Sequence, residues 1–294
     1  MNAALSAPAP AARFYVSQRL RLHYADWGNP SAPPLILLHG GRDHCRSWDW
    51  TARALRRDWH IIAPDLRGHG DSAWSSDGNY PMAAYVFDLA ELIHAQGLAP
   101  VSIVGHSLGG NVALRFAGLY PQALKSLVVI EGLGLSPKLL AERDAKDFLE
   151  RVRIWIELRR ALASRRQRRY SSIDAAAERM RAANTRLSAV QAHQLTLHGV
   201  NENADGSYSW KYDNDVRLEP PPDFATAQMH ELWARVSCPT LLAYGKQSWA
   251  SDPAVDGRAQ FFKNCEVTLF ERAGHWIHHD CLDEFVHEVQ RFLR

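Results

Sequence analysis

Several things that would narrow the setting of this 294-residue chain are scarce in it. No stretch approaches the roughly 18 consecutive apolar residues of a membrane span. Cysteine is thin, with four residues (Cys45, Cys238, Cys265, Cys281) and no CxxC or other paired spacing. That argues against a disulfide framework and for free thiols in a reducing compartment. Charge of one sign is lacking too. A formal net charge of +2 gives no reason to expect nucleic acid or an anionic membrane as partner. The first residues, MNAALSAPAPAAR, have neither a basic start nor an apolar run, and read as a loose tail rather than a signal peptide. The expected location is therefore the cytoplasm. What is present, 46% hydrophobic and 22% charged residues, describes a globular protein with enough chain for one large core plus an insertion.

Residues 14–27, rich in aromatic and β-branched side chains, predict two antiparallel strands at a sheet edge. Short apolar runs then recur: Leu35–Leu38, HIIAPD at 60–65, the run before Gly105, and SLVVI at 126–130. Runs this short suit strands buried on both faces. Helical segments near 47–57 and 83–96 separate them, and that alternation implies a parallel sheet. From Gly134 to about Leu232 the chain turns helical, Arg-rich and poor in strand signals, with Pro220, Pro221 and Pro222 near its end. Alternation resumes with Thr240–Tyr244, a helix near 253–263, a strand at 266–270 and a closing helix near 282–293. The predicted organisation is an α/β core (1–133 and 233–294) interrupted by a helical cap over 134–232. In the Arg-dense stretch 151–169, Val152, Ile154, Trp155, Ile156 and Leu158 fall at helical spacing and are expected to point inward.

Gly105-His106-Ser107-Leu108-Gly109 matches G-x-S-x-G. Average composition gives on the order of 0.1 such matches by chance in this length. Its context carries more weight: an apolar strand before it and an amphipathic helix after it. A turn that tight strains the serine backbone, and flanking glycines leave room for it. The serine oxygen then stands at the sheet edge, where the helix N-terminus favours negative charge.

On these residues the chain resembles the α/β-hydrolase fold family, with Ser107 as nucleophile. The resemblance implies a base in the loop after the last strand, and His275 in Ala273-Gly274-His275-Trp276 occupies that place. It also implies oxyanion donors at the backbone N–H groups of Gly41, after His39-Gly40, and of Leu108. PDLRGHGDS at 64–72 is similar to another family hallmark, with a loop-shaping role. The acid departs from the commonest pattern, because Ser248 stands where most relatives carry Asp, three residues after Gly245. Two carboxylates compete for the role. Asp252 precedes Pro253 and suits a helix start. Glu131, directly after SLVVI, resembles the placement in one group of haloalkane dehalogenases. The expected triad is Ser107, Glu131 and His275.

A serine nucleophile excludes dehalogenase and epoxide hydrolase chemistry, which in relatives uses Asp there. Esters, thioesters, lactones, amides and activated C–C bonds remain. The reading is a serine hydrolase of a small carboxylic ester or related acyl substrate. The alternatives are a C–C bond hydrolase or lactonase, and a non-catalytic binding protein on the same fold. No cofactor is implied. His278, His279, Asp280 and Cys281 lack an HExxH arrangement, and read as the polar face of a helix rather than a metal site. Trp155, His193, His198, Trp210 and Tyr212 in the cap are candidate pocket residues.

Overall fold

In a computed structural model, residues 9–163, 165–218 and 224–294 are described. Residues 1–8 of the tail and the proline run 220–222 lie outside them. The chain opens with strands β1 (Ala11–Ser17), β2 (Leu20–Asp26) and β3 (Pro34–Leu38). Helix α1 (Asp49–Leu55), β4 (His60–Pro64), α2 (Met82–Ala95), β5 (Val101–His106), α3 (Leu108–Leu119) and β6 (Leu124–Ile130) follow. Four helices come next: α4 (Pro137–Asp144), α5 (Phe148–Ala163), α6 (Ile173–Ala183) and α7 (Ala189–Gly199). A hairpin of β7 (Val200–Glu202) and β8 (Tyr208–Trp210) leads to α8 (Thr226–Arg235). The chain closes with β9 (Thr240–Gly245), β10 (Cys265–Phe270), α9 (Ile277–Asp280) and α10 (Leu282–Leu293).

Eight strands form one sheet in the order β1-β2-β4-β3-β5-β6-β9-β10. The β1–β2 and β2–β4 pairs are antiparallel and the others parallel. The predicted edge hairpin and parallel centre are thus both present. Alternation within each short run builds two cores at once, because successive side chains leave a strand on opposite faces. Ile36, Leu38, Ile103, Leu127 and Val129 join α2 and α3 on one face. Leu35, Leu37, Val104, Val128 and Ile130 join α1 and α10 on the other. Burial on both faces explains why these strands read as unbroken apolar runs.

Four expectations need correction. The 134–232 segment is not wholly helical, since it contains the β7–β8 hairpin, whose Val200 and Tyr208 pack with Tyr170 and Ala176. Its expected boundary at 232 falls within α8, whose Met229, Leu232 and Trp233 pack into the main core. Gly118 on α3 makes room for this, since a Cβ there would sit 2.5 Å from Leu232. Residues 253–263 form only a 3₁₀ turn, Arg258–Phe261. The left-handed Gly257 (φ 84°) stops any helix begun at Pro253. In α5 no side chain is buried, and Ile156 and Leu158 are about half exposed, so the inward apolar stripe is not formed. That helix lies over the turn at Asn214–Arg217, and Arg159 reaches from it to the Asp77 carbonyl. Among the described residues no helix is long and apolar enough to cross a membrane.

Candidate active site

The parallel strands all deliver their loops to one edge of the sheet, where open α/β sheets hold their ligands. Ser107 sits between β5 and α3 at φ 50°, ψ −113°, a conformation that costs about 1–3 kcal/mol and persists only where surroundings enforce it. The enforcement is visible at the two flanking glycines. A Cβ on Gly105 would lie 2.7 Å from the Gly109 carbonyl oxygen, and one on Gly109 would lie 2.5 Å from the His39 carbonyl oxygen. Only glycine lets strand, turn and helix approach this closely.

Glu131 follows β6 directly, also at positive φ (48°), and is buried. Its carboxylate is fully engaged. The Gly245 amide donates to Oε1 at 2.9 Å, and the Ser248 hydroxyl donates to Oε2 at 2.6 Å. His275 Nδ1 lies 2.5 Å from the same Oε2. A carboxylate only accepts, so Nδ1 carries the proton and Nε2 keeps its lone pair. The base-holding loop is itself braced. Asp280 accepts from the Gly274 amide at 2.7 Å, and His106 Nε2 donates to the His275 carbonyl at 3.0 Å. It is Glu131 and not Asp252 that meets His275, and Asp252 Oδ1 accepts from the Ala254 amide in a local turn.

A cavity of about 1080 Å³ opens above these groups, lined by Ser107, Leu108, Gly41 and His275 together. Gly41 approaches Leu108, since an added Cβ would be 3.9 Å from Leu108 Cδ2. No hydrogen bond joins Ser107 Oγ to His275, and unliganded sites often leave that contact loose. Trp210 and Tyr212 of the expected pocket set line the cavity. The other three stand elsewhere. Trp155 carries Arg159 over its ring on the exposed α5. His193 is half exposed beside Asp174. His198 is tied to Gln194 and Arg46 outside the cavity. All three stand on helices of the cap, and which face of a helix meets the cavity depends on how the cap docks. Sequence reasoning missed Trp249, whose ring centroid is 5.1 Å from that of His275, and Ser248 as a donor to Glu131. The second had a signal: a hydroxyl at the place of an expected carboxylate can bond to a carboxylate arriving from elsewhere.

The loop at 64–72 is structural, as its pattern suggested. Asp65 takes hydrogen bonds from the Cys45 amide (2.6 Å) and from His23 (2.7 Å), while Arg67 pairs with Asp88 at 2.6 Å. Burial alone would raise the Asp65 pKa, but these donors hold it below the usual carboxylate range. His39 accepts from the Leu66 amide at 3.0 Å, and burial lowers its pKa to about 3. His278 and His279 are not a solvent-facing helix surface. Both are buried, and desolvation keeps both neutral, His279 at about 3 and His278 well below the ordinary value. His278 stacks on Trp48 with ring centroids 4.5 Å apart, and His279 Nε2 lies 3.0 Å from the Ser47 hydroxyl, so both rings turn inward.

A sequence model of the family described as alpha/beta hydrolase fold matches residues 33–281. The chain is 32% identical over 197 residues to a serine hydrolase-like protein of Danio rerio, covering 66% of this chain and 59% of that protein's length. It is 29% identical over 262 residues to esterase Rv0045c of Mycobacterium tuberculosis, covering 86% of this chain and 80% of that one. Among solved structures, a thioesterase domain from the curacin biosynthetic pathway superposes with a TM-score of 0.82 over 96% of this chain and 100% of that chain. At 21% identity, that likeness speaks for the fold alone.

Proposed function

The chain belongs to the α/β-hydrolase fold family, and from that premise we propose that it is a serine hydrolase of small carboxylic esters or close acyl relatives. The observation that carries this reading is the bond between Glu131 and His275, made at the wall of the cavity that also exposes Ser107. Residues 134–218 form the cap in this reading, with α8 counted in the core.

The steps follow from the groups present. His275 Nε2 takes the Ser107 proton as Oγ attacks the acyl carbon, and the resulting imidazolium is steadied by Glu131. Ser248 and the Gly245 amide hold that carboxylate in place. The Gly41 and Leu108 N–H groups receive the developing oxyanion, each worth roughly 10²–10³ in rate. Collapse expels the alcohol with the proton from His275. Water, deprotonated by the same imidazole, then releases the acid from Ser107. Arg42, Arg168, Arg179, Arg186 and Arg217 line the cavity, and among the described residues Asp280 brings the one carboxylate in its wall. That imbalance favours acyl substrates bearing a negative charge.

The test is a panel of neutral and carboxylate-bearing esters, thioesters and lactones, run on the wild type and Ser107→Ala. The expected result is hydrolysis by the wild type, better for the anionic members, and its loss in the variant. Folded wild type that cleaves nothing, or a variant that cleaves as well, would overturn the reading.

A further inference from the structure

Behind the nucleophile, three side chains from three different loops meet in the protein interior. Asp43 follows β3, His106 ends β5, and His278 lies in α9. All three are buried, and one ligand atom from each lies within 4.8 Å of the others. Asp43 Oδ2, His106 Nδ1 and both ring nitrogens of His278 have no hydrogen-bond partner. Leaving even one such group unsatisfied costs about 1–3 kcal/mol, and three residues each bringing an unpartnered atom into one buried cluster call for an occupant.

The surrounding bonds say what kind of occupant. His106 Nε2 gives its proton to the His275 carbonyl, so Nδ1 presents a bare lone pair. Asp43 Oδ1 already accepts from the His44 amide at 2.9 Å, which leaves Oδ2 as the carboxylate oxygen without a partner. His278 is held against Trp48, with ring centroids 4.5 Å apart. Two neutral imidazoles and one carboxylate, all offering lone pairs, form a donor set for a zinc-class cation. A comparable cluster, His23, Cys45 and Asp65, lacks this character because its histidine is already bonded to its carboxylate at 2.7 Å.

We propose that Asp43, His106 and His278 form a binding site for one divalent transition-metal ion, and that filling it inhibits the hydrolase site. Donors around a tetrahedral zinc stand about 3.4 Å apart. Closing the cluster around an ion therefore draws in the loops that carry it. His106 adjoins Ser107 and bonds the backbone of His275, so the movement reaches nucleophile and base together. The inhibitory half rests on the function proposed above, and the binding half does not.

The experiment uses full-length protein stripped with a chelator, titrated with Zn²⁺ by calorimetry and with Co²⁺ by visible absorption. One saturable equivalent is expected in the wild type and in His193→Ala, an exposed control. Asp43→Asn and His278→Phe, the second keeping a ring against Trp48, are each expected to weaken it at least about 10-fold. Circular dichroism selects the folded variants, and either one suffices. No saturable binding, or binding unchanged in both variants, would overturn the site and assign the cluster to buried water. With an ester substrate, Zn²⁺ is expected to suppress wild-type turnover reversibly and to spare Asp43→Asn. Metal bound without inhibition overturns the inhibitory half. Metal bound to a protein with no turnover at all leaves the site standing and removes the hydrolase reading instead.

Discussion

The sheet and the cap are held by different forces. The sheet buries two apolar clusters, one on each face, and its loops are pinned by buried hydrogen bonds. Among its described residues the cap has two small clusters, Tyr170–Ala176–Val200 and Leu187–Ala192–Leu195. Polar tethers attach it, Asp213 to Tyr80 at 2.6 Å, Lys211 to Asp71 at 2.7 Å and His44 to the Leu195 carbonyl at 2.8 Å, beside apolar contacts of Trp50 and Trp276 with the second cluster and of Val216 with the core. Such contacts are individually weak and reversible. The difference separates two tasks. In the proposed reading, geometry for bond-breaking sits where packing is dense, and substrate selection sits where the chain can vary without loss of the fold.

Acid should strike the core hardest. Burial lowers the pKa of His39 and His279 to about 3 and of His69 to about 4, and pushes His106 and His278 well below the ordinary value. In the unfolded chain each titrates near 6.5. Their folded pKa values are depressed, so the unfolded state gains protons first as pH falls. Stability is therefore full above about pH 6.5 and declines toward pH 4, by up to about 1.4 kcal/mol per pH unit for each histidine. Thermal unfolding is expected to show Tm dropping steeply from pH 7 to 5. A flat profile would contradict the buried neutral histidines.

Next in size is Glu131→Gln, which keeps shape but loses the charge behind His275. A fall of roughly 10³–10⁴ in kcat is expected with little change in KM. Ser248→Ala should cost far less, about 10-fold, because the carboxylate keeps its Gly245 bond. A Glu131→Gln enzyme as active as the wild type, with Asp252→Asn inactive, would move the acid elsewhere.

Paired truncations test the contrast in packing directly. Leu127→Ala, fully buried in β6, should lose about 2–5 kcal/mol in urea unfolding. Leu149→Ala, 73% exposed in α5, should stay within about 0.5 kcal/mol. Equal losses would show the cap to be as tightly built as the core. The smallest effect belongs to the cavity rim. Arg179→Glu should raise KM for an anionic ester several-fold and leave kcat for a neutral one unchanged.

Legibility followed the same division. The core strands could be read because burial on both faces forces continuous apolar runs, and the serine turn because its glycines are sterically required. The pairing of Glu131 with His275 was expected from a resemblance, and it fits the rule that a carboxylate at a buried strand end needs a partner. The cap was harder. Its hairpin rests on three-residue strands, too short for a periodic signal. Trp155, His193 and His198 are aromatic or imidazole groups on helices whose orientation only docking decides. Pro253 signalled a helix start locally, and Gly257 cancelled it four residues later.

The central claim is that the hydroxyl at position 107 is the group that takes the acyl chain. Labelling with a fluorophosphonate, read by intact mass and then by peptide mapping, puts it to the proof. One adduct per chain on Ser107, absent from Ser107→Ala and slowed in Glu131→Gln, is the predicted result. No adduct on folded protein, or one on any other residue, would contradict it.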